Sequence, residues 1–373
     1  MADIYAGAVL TIAATWSNSS ESGCFSKMQE KFSAIPLGAS GLFVRLGLPR
    51  FPRDLWTTSE REHDAWPLLD RAWVFQERYL SARMVHFGKE QLYWECDSAV
   101  LSEDGVEDLQ RLDRDHFSPQ FRAKPNDPIE AWRAAVLYFS SLKLTYESDR
   151  LPAISAVVKA MQAVRKNDVY VAGMWRNSLP EDLSWRAERS PEPRPDGDRP
   201  TWSWISISGK IIWFPCRVLE SAALVKADFE ITGPSHFGYS RGASITIKGP
   251  ASTVGVTFGS QLSAMRVELT SELPNMPRYS QNDDPNSPFS VFPDFDWNAA
   301  SSEVHSGDTL AFVLLWKKWE EWNEYADFGV TTLGILLQRT NNGQYRRVGH
   351  ICLDVDIHGV VIASLPIKKF TII

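Results

Sequence analysis

The chain has 373 residues, of which 44% are hydrophobic and 23% charged, and its formal net charge is −7. That length holds two or three domains with proper cores, and the composition is that of an ordinary soluble globular protein. An acidic balance with no basic, aromatic-interleaved run argues against a nucleic-acid binder, and no run of about 18 uninterrupted apolar residues offers a membrane span.

Residues Met1 to Trp16 look superficially like a signal peptide, but Asp3 stands where a basic segment is expected. They read as structure, in a chain expected to be cytoplasmic. Met1, Ile4, Tyr5 and Ala8 have the i, i+3, i+4, i+7 spacing of an amphipathic helix. That helix begins with no capping residue before it, so the chain is expected to start partway through a larger domain. Val9 to Ala14 reads as a buried strand and Ser17 to Gly23 as a polar loop.

The most informative stretch runs from Leu68 to Cys96. A helix from Ala72 to Leu80 places Trp73, Gln76, Glu77 and Leu80 on one face. It should stop near Ser81. The segments Met84–Gly88 and Leu92–Cys96 are β-like, separated by the polar turn Lys89-Glu90-Gln91. Asp113 to Pro128 is charged and reads as a connector. Ile129 to Leu144 carries a helical stripe through Trp132, Val136 and Phe139. Asp149 to Val164 predicts another amphipathic helix with Pro152 in its first turn, and Leu179 to Trp185 a short one.

Ser190 to Pro200 contains four prolines and reads as an exposed loop. From Thr201 the sequence alternates, with Trp202 and Trp204 on one face, as in a half-buried strand. The last third is rich in β-branched, turn-bounded runs, which predict an antiparallel sheet or sandwich. Leu273 to Trp297 reads as a long surface loop, with a solvated acidic turn at Asp283-Asp284. The fold class expected is therefore α+β, divided into residues 1–110, a helical connecting region 111–200 and a β-rich region 201–373.

Cys24, Cys96, Cys216 and Cys352 are scattered, and the seven histidines are equally dispersed. No disulfide framework or metal constellation is expected from such spacing. Glu77 is the sharpest candidate for chemistry. A carboxylate on an aromatic helix face has its pKa raised and can stabilise an oxocarbenium-like ribosyl centre or handle a proton. The alternative is a structural ion pair with Arg71, Arg78 or Arg83. Gln76 either hydrogen-bonds a ribose or amide, or satisfies buried backbone. Arg71, Trp73 and Arg78 are the candidate binding residues around them. Cys96 reads as a buried core thiol, and His86 as a packed or solvated histidine within a strand.

Three groups of residues carry a resemblance to the fungal heterokaryon incompatibility (HET) domain family. The first is Met1-x-x-Ile4-Tyr5-x-x-Ala8. The second is Arg71-Ala72-Trp73-x-x-Gln76-Glu77-Arg78-x-Leu80-Ser81 with Leu92-Tyr93-Trp94-Glu95-Cys96. The third comprises Leu144-Thr145, Asp149 to Ser155, Ala172-Gly173-Met174-Trp175 and Thr201-Trp202-Ser203-Trp204. The family's usual first block, aromatic-x-Trp-x-Asp-x-Leu-Cys-Ile-x-Gln, is missing, which makes residues 1–110 resemble a partial HET domain.

The resemblance implies the C-terminal half of an α/β domain related to Toll/interleukin-receptor (TIR) domains. It implies an effector of self/non-self recognition and programmed cell death that acts through protein partners, including copies of itself. Some TIR domains cleave NAD, so the resemblance also brings in NAD as a substrate, with Glu77 as the key carboxylate. A third implication is a truncated form that is inactive or repurposed. No cofactor is evident in the sequence.

Overall fold

Nine residues from Ala72 to Leu80 form the helix that their spacing predicts, and the hairpin follows where expected. They belong to a computed structural model that describes residues 2–51, 66–96, 99–105, 127–188, 192–213, 216–257, 266–270, 279–281, 289–318, 330–355 and 360–373. Most of the connector expected at Asp113–Pro128, and the acidic turn at Asp283-Asp284, lie outside the described residues. The chain is mixed α and β with more strand than helix, 36% against 23%. Among the described residues, no helix is long and apolar enough to cross a membrane. Two units are distinguished, residues 1–166 and 167–373.

In the first unit, helix Ala2–Gly7 buries no residue. Strand β1 (Thr11–Ala13) follows, and then a small exposed pair, β2 (Ile35–Pro36) and β3 (Phe43–Val44). The buried strand expected over Val9–Ala14 is corrected. Only Ala13 of β1 is buried, while Val9 and Ile12 face outward. The hairpin consists of β4 (Arg83–Phe87) and β5 (Leu92–Cys96), with β6 (Val100–Ser102) beyond it. The sheet order is β1-β4-β5-β6, with β1 parallel to β4 and the other pairs antiparallel.

Helix Ala72–Leu80 ends because Ser81 turns back on it. The Ser81 hydroxyl donates to the Glu77 carbonyl at 2.8 Å and its backbone N–H to the same oxygen at 3.1 Å. The buried residues are Ala72, Val74, Phe75 and Gln76. The predicted face is thus off by about one position, leaving Trp73, Glu77 and Leu80 half-buried at its rim. Phe75 decides this, by packing its ring 5.6 Å from both Tyr138 and Phe139. Those two rings lie on helix Pro128–Ser140, which Asp127 caps through the N–H groups of Ile129 and Glu130. The second amphipathic helix is shorter than predicted, covering Ser155–Val164 after 3-10 turns at Glu147–Asp149 and Pro152–Ile154. Pro152 has no N–H to continue a hydrogen-bonded ladder, so the chain enters the helix through a tighter turn.

The second unit opens on a hairpin of β7 (Tyr170–Val171) and β8 (Met174–Trp175). Its turn residues, Ala172 and Gly173, have φ of 47° and 80°, as a two-residue hairpin turn requires. A short helix, Leu179–Asp182, follows. Next come β9 (Arg186–Ala187) and its partner β10 (Ile211–Ile212). The strand expected from Thr201 does not form. Trp204–Ser206 instead wind into a 3-10 turn that Ser203 caps, with Trp202, Ser203, Trp204 and Ser206 all buried. The alternation is overridden because the serines are as deeply placed as the tryptophans.

The Trp204 indole and the Ser203 hydroxyl anchor the hairpin turn. Trp204 Nε1 donates to the Gly173 carbonyl at 2.7 Å, and the Ser203 hydroxyl donates to the Ala172 carbonyl. A Cβ at Gly173 would sit 2.8 Å from Ile205 and 2.9 Å from the Trp204 indole nitrogen. Gly173→Ala is therefore expected to cost about 1–3 kcal/mol, through overpacking and a left-handed backbone that alanine disfavours. Guanidinium unfolding of the variant measures it, and a midpoint equal to wild type would contradict the close approach.

The rest of this unit is a sheet, antiparallel in all but one pairing among the described residues, of the kind the β-branched runs predict. Its strands are β11 (Cys216–Val218), β12 (Ala223–Ile231), β13 (Ser240–Thr257), β14 (Arg266–Leu269), β15 (Tyr279–Gln281), β16 (Phe289–Pro293), β17 (Thr309–Lys318), β18 (Val330–Arg339), β19 (Tyr345–Val355) and β20 (Ile367–Ile372). The order β11-β17-β18-β19-β20-β13-β14-β15 gains a further pairing of β17 with β13. Strands β13, β17, β18, β19 and β20 therefore form a closed ring of pairings, to which β11, β12, β15 and β16 are attached, each with one partner among the described residues. The surface loop expected over Leu273–Trp297 is corrected over residues 289–297, where Phe289, Val291, Phe295 and Trp297 enter the apolar core of this sheet; residues 273–278 and 282–288 lie outside the described residues. Polar neighbours hid an apolar alternation there.

Candidate functional site

In the first unit, the Tyr5 side chain reaches helix Ala72–Leu80, where its hydroxyl hydrogen-bonds the Glu77 carboxylate. Two of the sequence blocks noted above thus meet at one hydrogen bond. Glu77 is half-buried and its pKa is raised. Burial, which disfavours the charged carboxylate, outweighs the Tyr5 bond and the charge of Arg71. The Tyr5 hydroxyl is raised in turn, by burial and by the neighbouring carboxylate. Arg71 is exposed at the helix start, where its guanidinium supplies the stabilising charge. A carboxyl with a raised pKa can take up or release a proton above the usual carboxylate range, or be held against a developing cation.

Gln76 and Trp73 look the other way. Gln76 is buried, and its side-chain oxygen accepts from the Ala156 backbone N–H at 3.2 Å. Trp73 Nε1 donates to Asp149 at 3.1 Å. Beside Asp149, Arg150 is buried and chelated by Glu147 through bonds of 3.0 and 2.9 Å. The second and third blocks are therefore joined through Trp73–Asp149, and Gln76 reaches Ala156, one residue past the Asp149–Ser155 run.

Arg78, a candidate binding residue, pairs with Glu95 and is 11% exposed. Its Nε donates to Glu95 Oε2 at 2.8 Å and its Nη2 to Oε1 at 3.0 Å. His86 Nε2 lies 2.9 Å from the same Oε2, and His86 Nδ1 lies 2.9 Å from the Thr15 hydroxyl. Burial alone would raise the Glu95 pKa. The Arg78 charge and the His86 bond reverse this and hold it well below the usual carboxylate range. An ionised carboxylate only accepts, so His86 Nε2 carries the proton in this bond. The Arg78 guanidinium also lies over the Phe51 ring at 5.3 Å. Burial pushes the Tyr138 hydroxyl, which bonds Arg78, up to about 12.

Known families, curated proteins and solved structures offer no match to this chain. The likeness to the HET family therefore rests on the residues of the three blocks.

Sequence reasoning ranked Glu77 first and missed the Arg78–Glu95–His86 network. A signal for it existed. In a tight hairpin with period-2 alternation, His86 and Glu95 fall on one face, together with Met84 and Tyr93. Cys96 is a half-buried thiol. Among the described residues, no group of three or more His, Cys, Asp or Glu is placed to hold a metal.

Proposed function

We propose that the protein is an effector or regulator of the heterokaryon-incompatibility type, working by contact with a protein partner. The observation that carries this reading is the outer strand of the first sheet. Among the described residues β1 pairs only with β4, in parallel, yet Ile12 within it is 63% exposed and Val9, just before it, 80%. Parallel strands ordinarily have both faces covered, and an outer strand offers unpaired backbone groups to an incoming strand. Phe25, Ile35 and Phe43, also exposed, extend the apolar surface of this unit. The partner suited to it presents an apolar, extended segment.

Expression of the full chain in a fungal host should arrest growth. Val9→Asp combined with Ile12→Asp should abolish the arrest with an unchanged melting temperature, since neither side chain is buried. Absence of arrest with the wild-type chain, or arrest that persists in the double variant, would overturn the reading.

A second reading, cleavage of NAD, is favoured by the raised pKa of Glu77 beside Tyr5. It predicts nicotinamide release by the purified chain that Glu77→Gln reduces by at least about a hundredfold. The same substitution removes a carboxylate whose ionisation is disfavoured by burial. A group with a raised folded pKa loses stability as pH climbs from its unfolded to its folded value, so the variant should be no less stable than wild type at pH 7. Lost activity at undiminished stability separates a functional carboxylate from a structural one. No nicotinamide release from the wild type removes this reading and leaves the first standing.

A further inference from the structure

In the second unit, a cleft of about 340 Å³ opens between the proline-containing loop at residues 192–200 and the first residues of β13 and β19. Three arginines line it, Arg194, Arg199 and Arg346, together with the hydroxyl-bearing Ser240 and Ser244. We propose that this cleft binds a small phosphate-bearing ligand. The inference is independent of the contact surface on the first unit.

Charge is the first support. Arg194 and Arg346 share a single carboxylate, Glu303, at 3.1 and 2.9 Å. The nearby Asp294 is taken by a different, fully buried arginine, Arg347, at 2.8 Å. Asp198 also lines the cleft, while Arg194 and Arg346 divide one carboxylate between two guanidinia. A guanidinium short of a full partner is the natural seat of a phosphate oxygen pair.

Hydrogen bonding is the second. The Arg194 guanidinium lies over the Phe295 ring at 4.4 Å, and its Nη2 donates to the Arg347 carbonyl at 2.7 Å. These contacts fix its plane. Its Nη1 has no hydrogen-bond partner, and its Nε is near Glu303 but not aligned with it. A buried donor left open costs free energy unless something accepts from it. Gly242, with φ of 59° and no heavy atom within 4 Å of a built Cβ, leaves the rim of the cleft open beside the two serines.

Calorimetric titration of the full chain with inorganic phosphate and with pyrophosphate tests the site. The expected result is saturable one-to-one binding of at least one anion, weakened about tenfold by Arg346→Gln, whose side chain is half exposed. Glu303→Gln removes the carboxylate that competes for both guanidinia and should tighten binding about tenfold, an effect opposite in sign to misfolding. No saturable binding of either anion up to about 10 mM overturns the proposal. So does unchanged affinity in both variants.

Discussion

Arg347→Ala is expected to destabilise the second unit by about 3–5 kcal/mol, the loss that follows when one member of a buried ion pair is removed. The Arg347 and Asp294 side chains are both fully buried, and the bond between them is bidentate, at 2.8 and 3.2 Å. The same guanidinium donates to the Leu183 carbonyl at 2.7 Å and to the Trp185 carbonyl, and lies 3.6 Å over the Trp185 ring. Truncation leaves a carboxylate and two carbonyls buried without donors. Burial lowers the Arg347 pKa and Asp294 works against that shift, so the charge is held here by its partner. Arg347→Lys should recover only part of the loss, because a compact ammonium cannot reach all the acceptors of a planar fork. Guanidinium unfolding monitored by hydrogen exchange in β18 and β19 measures both variants. A cost below about 1 kcal/mol for the alanine variant would show that the pair contributes no more than an exposed one.

The second large effect belongs to the first unit. Glu95→Gln should cost about 3 kcal/mol at pH 7 by leaving the Arg78 charge in the core without its carboxylate. The pH dependence distinguishes this from simple loss of packing. The folded pKa of Glu95 is well below its reference value of 4.5. Its contribution is therefore complete above that reference value and is lost as pH falls through the folded pKa. Wild type should become steadily less stable as pH drops from about 5 towards 2, while Glu95→Gln should follow a flatter profile over the same range. Parallel profiles would mean that the ionised carboxylate is not what holds the network. Glu77→Gln provides the contrast, since its carboxylate is shifted upward instead.

The two carboxylates show how far the sequence reaches into the site. Glu77 is legible because a charge on an aromatic helix face is visible from spacing alone. Its partner Tyr5 is not, because the two are 72 positions apart and nothing local links them. Arg78 was within reach of Glu77 by sequence, yet it goes to Glu95, where two aligned bonds and little exposure make the stronger pair. Trp73 and Gln76 show the same limit. Their positions on the helix follow from its period, while Asp149 and the Ala156 N–H, which occupy their polar atoms, come from the segment before and into a later helix.

Secondary structure follows the same division. The helix from Ala72 to Leu80, its hairpin and the β-rich last third were determined by the sequence, because period, β-branching and turn residues act over a few positions. Tertiary packing decided what lies beyond that range. It turned the Trp202–Ser206 segment into a buried turn, drew Phe289 to Trp297 into the core and closed the sheet through β13 and β17. It also chose which carboxylate each arginine serves. Such choices depend on desolvation and on contacts between distant residues, and those exist only once the chain has folded.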